Sequence, residues 1–166
     1  CALPIFPFPQ RRGKASVLND AAAAARGDVL CLCDANVYFK PDALRRLAAR
    51  LRDPQVGAAS GDVQLASWES NFEKGEASYY SYERRIQEAE SHVGSLMGVD
   101  GGMYLVRREL FEPLPPDTIL DDFVVSMQVV RRRRRVVYEP TAVAFEGGTP
   151  TARQRSEEHT SELQSH

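Results

Sequence analysis

The stretch Asp28-Val29-Leu30-Cys31-Leu32-Cys33-Asp34-Ala35-Asn36 decides how this 166-residue chain is read. A short apolar run closed by polar residues reads as a buried strand. Asp34 and Asn36 then lie just past its carboxyl end, where open α/β sheets bind ligands. Two oxygen-bearing side chains two residues apart can share a hard divalent cation there, and through it a diphosphate. The same residue types also cap ordinary turns, so the pair takes its meaning from its surroundings. Cys31 and Cys33 point to one face of such a strand. They are expected as reduced core thiols, because the sequence holds no further Cys or His cluster to complete a zinc site.

Working outward, residues 13–26 carry an alanine-rich helical pattern that Gly27 stops. A second helix is predicted from Pro41 to about Arg52. Pro41 and Asp42 suit its first turn, and Leu44, Leu47, Ala48 and Leu51 make one apolar stripe. Residues 56–66 read as a strand passing through Gly57 and Gly61, and residues 71–97 as a long helical segment. A glycine-rich turn, Gly98-Val99-Asp100-Gly101-Gly102, leads into a short strand over 103–106, a single helical turn over 107–111 and a stiff proline loop over 113–116. Residues 121–132 are helical by spacing, and 136–138 and 142–145 are strands parted by Pro140. Helices alternating with buried strands predict one α/β domain with a largely parallel sheet.

Composition narrows the function classes. The formal net charge is −2, so no basic field argues for nucleic acid, and no stretch of 18 apolar residues marks a membrane span. Three cysteines make no disulfide framework. The opening Cys1-Ala2-Leu3-Pro4 lacks an initiator methionine and is expected to begin inside a domain. Residues 155–166, Arg-Ser-Glu-Glu-His-Thr-Ser-Glu-Leu-Gln-Ser-His, read as the in-frame translation of a common sequencing adapter. The expected organisation is a partial domain over 1–154 and a non-native tail over 155–166, which removes His159 and His166 from consideration as ligands.

The ordered set Gly13-Lys14-Ala15-Ser16-Val17-Leu18-Asn19, Cys33-Asp34-Ala35-Asn36, Gly98-Val99-Asp100-Gly101-Gly102, Ile119-Leu120-Asp121-Asp122-Phe123 and Val137-Tyr138-Glu139-Pro140 resembles the family 2 glycosyltransferases. These are inverting enzymes of GT-A fold that include processive polysaccharide synthases. The resemblance covers residues 11 to about 150 and implies a Rossmann-like, mostly parallel sheet whose first strands lie before Cys1. It implies a nucleoside diphosphate sugar donor, here a UDP-sugar, a carbohydrate or lipid-linked acceptor, and Mg2+ or Mn2+ as cofactor. Asp34 matches the first position of the family's Asp-x-Asp motif. Asn36 stands at the last, where an amide oxygen can coordinate the metal without bringing charge. By the same match Asp122 is the general base beside Asp121, at the head of a helix beneath the acceptor. A helix start alone would account for Asp121, since the dipole favours acids there.

Lys14 and Asn19 belong by resemblance to the donor site, Lys14 near the diphosphate or uracil and Asn19 supporting its loop. A solvated lysine is the competing reading. Asp100 and Gly101 are expected to meet the acceptor, against the alternative of an ordinary tight turn. Trp68 is expected in the core, and His92 on a solvated helix face. Arg131 to Arg135 end a helix, where cations complement its dipole, and relatives carry a glycine near Arg133. The Gln-x-x-Arg-Trp segment of processive members would lie after Gln154. The intact protein is expected at the cytoplasmic face of the plasma membrane, joined to it by segments outside this chain, with the fragment itself soluble and inactive. Two other classes stay open: a nucleotide-sugar or carbohydrate-binding module marked by Asn36, and an unrelated phosphate-handling enzyme with Asp34 as nucleophile.

Overall fold

Gly13 has a φ of 79°, a left-handed conformation open to glycine, and it turns the chain into helix α1 (Lys14–Ala24). The computed structural model describes residues 7–66 and 73–147; Trp68 and the 155–166 tail lie outside them. After α1 come strands β1 (Val29–Cys33) and β2 (Val37–Phe39), helix α2 (Ala43–Arg50) and strand β3 (Val56–Ala66). Helix α3 (Glu73–Val93), strand β4 (Met103–Arg107), a 3-10 turn (Arg108–Leu110), helix α4 (Asp121–Arg131) and strand β5 (Arg135–Gly147) follow. Asp42 sends its carboxylate to Arg46 at 2.6 Å, and α2 begins only after it. The apolar stripe of α2 is narrower than the spacing predicts. Ala43, Leu47 and Leu51 are buried, whereas Leu44 and Ala48 face outward.

The strand order is β1-β4-β3-β5-β2, and only β3 and β5 pair in parallel. The expectation of a mostly parallel sheet is corrected here to a mixed one. β4 enters between β1 and β3 and runs antiparallel to both, so β1, β3 and β5 share a direction although only two of them are neighbours. β2 closes the other edge antiparallel to β5 and has no counterpart among the predicted strands. Pro140 does not divide β5. It sits at a register shift, where Gly61 faces Glu139 and Asp62 faces Val143.

Each side of the sheet has its own core. One packs Ala15 of α1 and Val125 and Val129 of α4 against Leu30, Leu32, Tyr104, Val106 and Val136. The other seats α2 on Ala59, Met103, Leu105, Val137 and Ala144. β4 is buried on both faces, alternating between the two. β1 is not: Leu30 and Leu32 are covered, while Val29, Cys31 and Cys33 are exposed. The thiols do share a face, but it is the open face of an edge strand and not the core. Among the described residues, no helix is long and apolar enough to cross a membrane.

The end of α4 shows how the chain manages without a glycine. Arg133 adopts φ 56°, and its N–H bonds to Val130 O at 2.8 Å while the Arg134 N–H reaches Val129 O at 3.2 Å. Those two bonds make a Schellman cap, with an arginine in the left-handed position that glycine fills at lowest strain. The neighbouring guanidiniums are taken up locally. Arg131 and Arg132 engage Glu112, and Arg135 bonds the carbonyls of Ser91 and Gly94 at the end of α3. His92 is exposed, with Nδ1 2.7 Å from Glu88 O.

Candidate active site

The carboxyl ends of β1, β3 and β5 open at the same border of the sheet as the amino end of β4. That border gathers most of the sequence-derived candidates. Asp34 follows β1, Asn36 precedes β2, and Asp100 and Gly101 lead into β4. The amino ends of α1 and α4 bring Lys14 and the Asp121-Asp122 pair to the same place. Lys14 Nζ lies 3.5 Å from Asp34 Oδ1 and 3.2 Å from Asp121 Oδ1, joining groups 87 positions apart in the chain. Partial burial pulls the ammonium pKa down, but the carboxylates of Asp121 and Asp34 outweigh it and leave Lys14 raised above its ordinary value.

The second half of the border is packed more tightly. Asp121 is buried, and its neighbour Asp122 accepts a 2.7 Å bond from the Phe123 N–H. A side chain at Gly101 would bring its Cβ to 3.1 Å from Asp122 Oδ2, so glycine there lets the carboxylate approach the turn. Three side-chain bonds hold the turn. Ser126 Oγ accepts from Val99 N at 3.1 Å, Ser60 Oγ from Asp100 N at 2.9 Å, and Asp100 Oδ1 from Gly102 N at 2.9 Å. Ser126 also donates to Asp122 O at 2.8 Å, tying the acid-bearing helix to the glycine turn. Burial pushes the Asp100 carboxyl up to about 6; the Gly102 N–H opposes this, and the negative charges of Glu146, Asp122 and Asp34 add to it.

Asn19 stands apart. Its amide is committed to the backbone of Leu114, donating to the carbonyl and accepting from the N–H, both at 2.8 Å. It therefore pins the loop ahead of α4 to α1 and turns no group toward Asp34. Gln128 makes the equivalent pair with Glu112, at 3.0 and 2.9 Å. Ser126, Gln128, Glu146 and Tyr104 escaped the sequence reading. Glu146 had one faint signal, an acid closing an apolar strand; in the fold its Oε1 accepts from Asn36 Nδ2 at 3.3 Å. Tyr104 reads as strand filler, yet its buried hydroxyl finds no partner among the described residues.

With this geometry in place, known proteins can be compared. The model of the family described as "Glycosyl transferase family 2" matches residues 4–114. Poly-beta-1,6-N-acetyl-D-glucosamine synthase of Staphylococcus aureus is 26% identical over 141 residues, which cover 82% of this chain and 34% of that protein. The chain thus spans about a third of the length of that curated relative. The structure of the mannosyltransferase PcManGT from Pyrobaculum calidifontis, in complex with GDP-Man and Mn2+, superposes with a TM-score of 0.72 at 24% identity. That match covers 87% of this chain and 39% of the other. Glucosyl-3-phosphoglycerate synthase from Mycobacterium tuberculosis, in complex with Mg2+ and UDP, gives a TM-score of 0.54 at 17% identity, covering 86% of this chain and 50% of that one. Both superpositions carry the fold, that of the GT-A glycosyltransferases. The match to the family model over two thirds of the sequence carries more: the chain belongs to glycosyl transferase family 2.

Proposed function

We propose that this chain is the central part of an inverting glycosyltransferase that moves a sugar from a nucleoside diphosphate sugar to an acceptor hydroxyl. The observation that carries the reading is the meeting of Asp34, Lys14 and the Asp121-Asp122 pair at one border of the sheet. Asp34 and Asn36 offer oxygen donors only, and the Asp34 side chain is 45% exposed, which suits a hard cation such as Mg2+ or Mn2+. Among the described residues no three His, Cys, Asp or Glu side chains converge on a metal-sized site, so such an ion would lean on the diphosphate for further oxygens. When bound, it would neutralise charge on the leaving diphosphate.

The protein's own groups supply the rest. Lys14, at the amino end of α1, is placed to bind phosphate oxygen. Asp122, fixed by the Phe123 N–H, accepts the proton of the acceptor hydroxyl as that oxygen attacks the anomeric carbon. Asp100 and Gly101 form the wall against which the acceptor rests. UDP is the favoured carrier nucleotide, supported by the UDP complex of one fold relative, and polysaccharide synthesis by the Staphylococcus aureus relative. We place the intact protein at the cytoplasmic face of the plasma membrane, acting on a carbohydrate or lipid-linked acceptor.

The test is nucleotide release from a panel of UDP-sugars and GDP-mannose with Mn2+, by protein extended to the length of its relatives. Turnover lost in Asp122→Asn with nucleotide binding kept is the expected result. Tight binding without turnover in the unaltered protein would favour a nucleotide-sugar-binding module, the reading that the uncharged Asn36 supports.

A further inference from the structure

Tyr104 is 1% exposed, and its hydroxyl has no hydrogen-bond partner among the described residues. Buried polar atoms are nearly always paired, so an orphan beside a functional site needs a physical account. Its placement is specific. On β4 it lies opposite Leu32, two residues before Asp34, and opposite Ser60 on the other side. It shares a core with Ala15, next to Lys14, and with Val125, one turn beyond Asp121. Burial raises its pKa first, and the carboxylates of Asp121, Asp122 and Asp34 add to the rise, so the phenol keeps its proton and is a hydrogen-bond donor.

Asp121 is the carboxylate that will need that donor. It is 7% exposed and paired with Lys14, whose single ammonium is shared with Asp34. Lys14 brings one positive charge to two carboxylates, and a bound diphosphate would compete with both for its three N–H donors. If Lys14 turns to the diphosphate, a buried carboxylate loses its counter-charge. We propose that Asp121 exchanges partners on donor binding: Lys14 holds it in the arrangement seen here, and the Tyr104 hydroxyl takes it over when Lys14 moves to the diphosphate. The inference rests on the reading that a metal-bound nucleoside diphosphate sits at Asp34. Tyr104 is then a positioning residue, keeping Asp121, and with it the head of α4, in place beneath the acceptor.

Thermal melting and calorimetry of protein extended to the length of its relatives, with Mn2+, UDP and both together, test it. Without nucleotide, Tyr104→Phe removes an unpaired buried hydroxyl and raises the melting temperature by about 2–4 °C. With UDP and Mn2+ together the same variant binds about tenfold more weakly, reversing the sign of its effect. Lys14→Met gives the complementary result, binding Mn2+ alone more tightly at Asp34 and UDP with Mn2+ more weakly. The exchange is overturned if Tyr104→Phe melts lower without nucleotide, since the hydroxyl is then already paired, or if it binds UDP and Mn2+ as the unaltered chain does. Failure of the unaltered chain to bind UDP or GDP with Mn2+ would instead sink the donor-site reading, and this inference with it.

Discussion

The proposed donor and acceptor halves of the candidate site are built on different terms. On the donor half, Asp34 after β1 and Lys14 at the amino end of α1 keep 45% and 56% of their side chains exposed. On the acceptor half, the Asp121 side chain is 10% exposed, and the glycine turn beside it is bonded by Ser60, Ser126 and Asp100. The difference separates positioning from binding. The glycine turn and the head of α4 are braced by the protein's own side chains. Lys14 and Asp34 are half-exposed and free to adjust to the ion and phosphate proposed there.

The largest effect expected from this contrast is at Gly101. In Gly101→Ala the new Cβ stands 3.1 Å from Asp122 Oδ2, and displacing that carboxylate should lower turnover by about 100-fold. Mn2+ affinity, a property of the donor half, should hold; a parallel loss of both would break the division. Next is Ser126→Ala, which strands the Val99 N–H and frees Asp122 O from its brace. Denaturant unfolding should show a loss of about 1–3 kcal/mol, with Mn2+ binding again retained.

Asp100 offers a sharper probe, because its carboxyl at about 6 bears charge from both halves. Its folded value lies above the ordinary carboxyl value of 3.8, so the folded state holds the proton more tightly than the unfolded one. Its contribution to stability therefore declines as pH rises through that window. A divalent cation near Asp34 favours the ionised carboxylate, so Mn2+ affinity should rise with pH toward about 6 and level off above it, with a slope well under about tenfold per pH unit because Asp100 is not one of the proposed ligands. Asp100→Asn should flatten that profile in a calorimetric titration. The smallest effect lies outside both halves. Arg133→Gly relieves a left-handed arginine and should stabilise the fold by about 1 kcal/mol in urea, leaving nucleotide binding unchanged.

The local part of this architecture was legible in the chain. β3 spans the predicted 56–66, and α4 and the turn at 98–102 fall where spacing and glycines put them. The elements that escaped depend on distant partners. β2 is three residues long and exists only because Ala144 to Glu146 lie beside it. The sheet came out mixed because β4 inserts between β1 and β3, an event no local pattern encodes. Periodicity puts Cys31 and Cys33 on one face but does not tell whether that face is covered, and here it is exposed. For the candidate site, the resemblance singles out Asp34, Asp100 and the acid pair, whereas Ser126, Gln128 and Glu146 enter through contacts that only the fold creates.

The loop before α4 has a mechanical consequence. Asn19 clasps Leu114 from one side and Gln128 clasps Glu112 from the other, each by a two-bond grip on the main chain. The helix bearing the lysine and the helix bearing the acids are thereby coupled through three residues of backbone, like two plates riveted to one strip. A force that tilts α1 must carry α4 with it, whereas β1, with a single neighbour among the described strands, is held by fewer ladders.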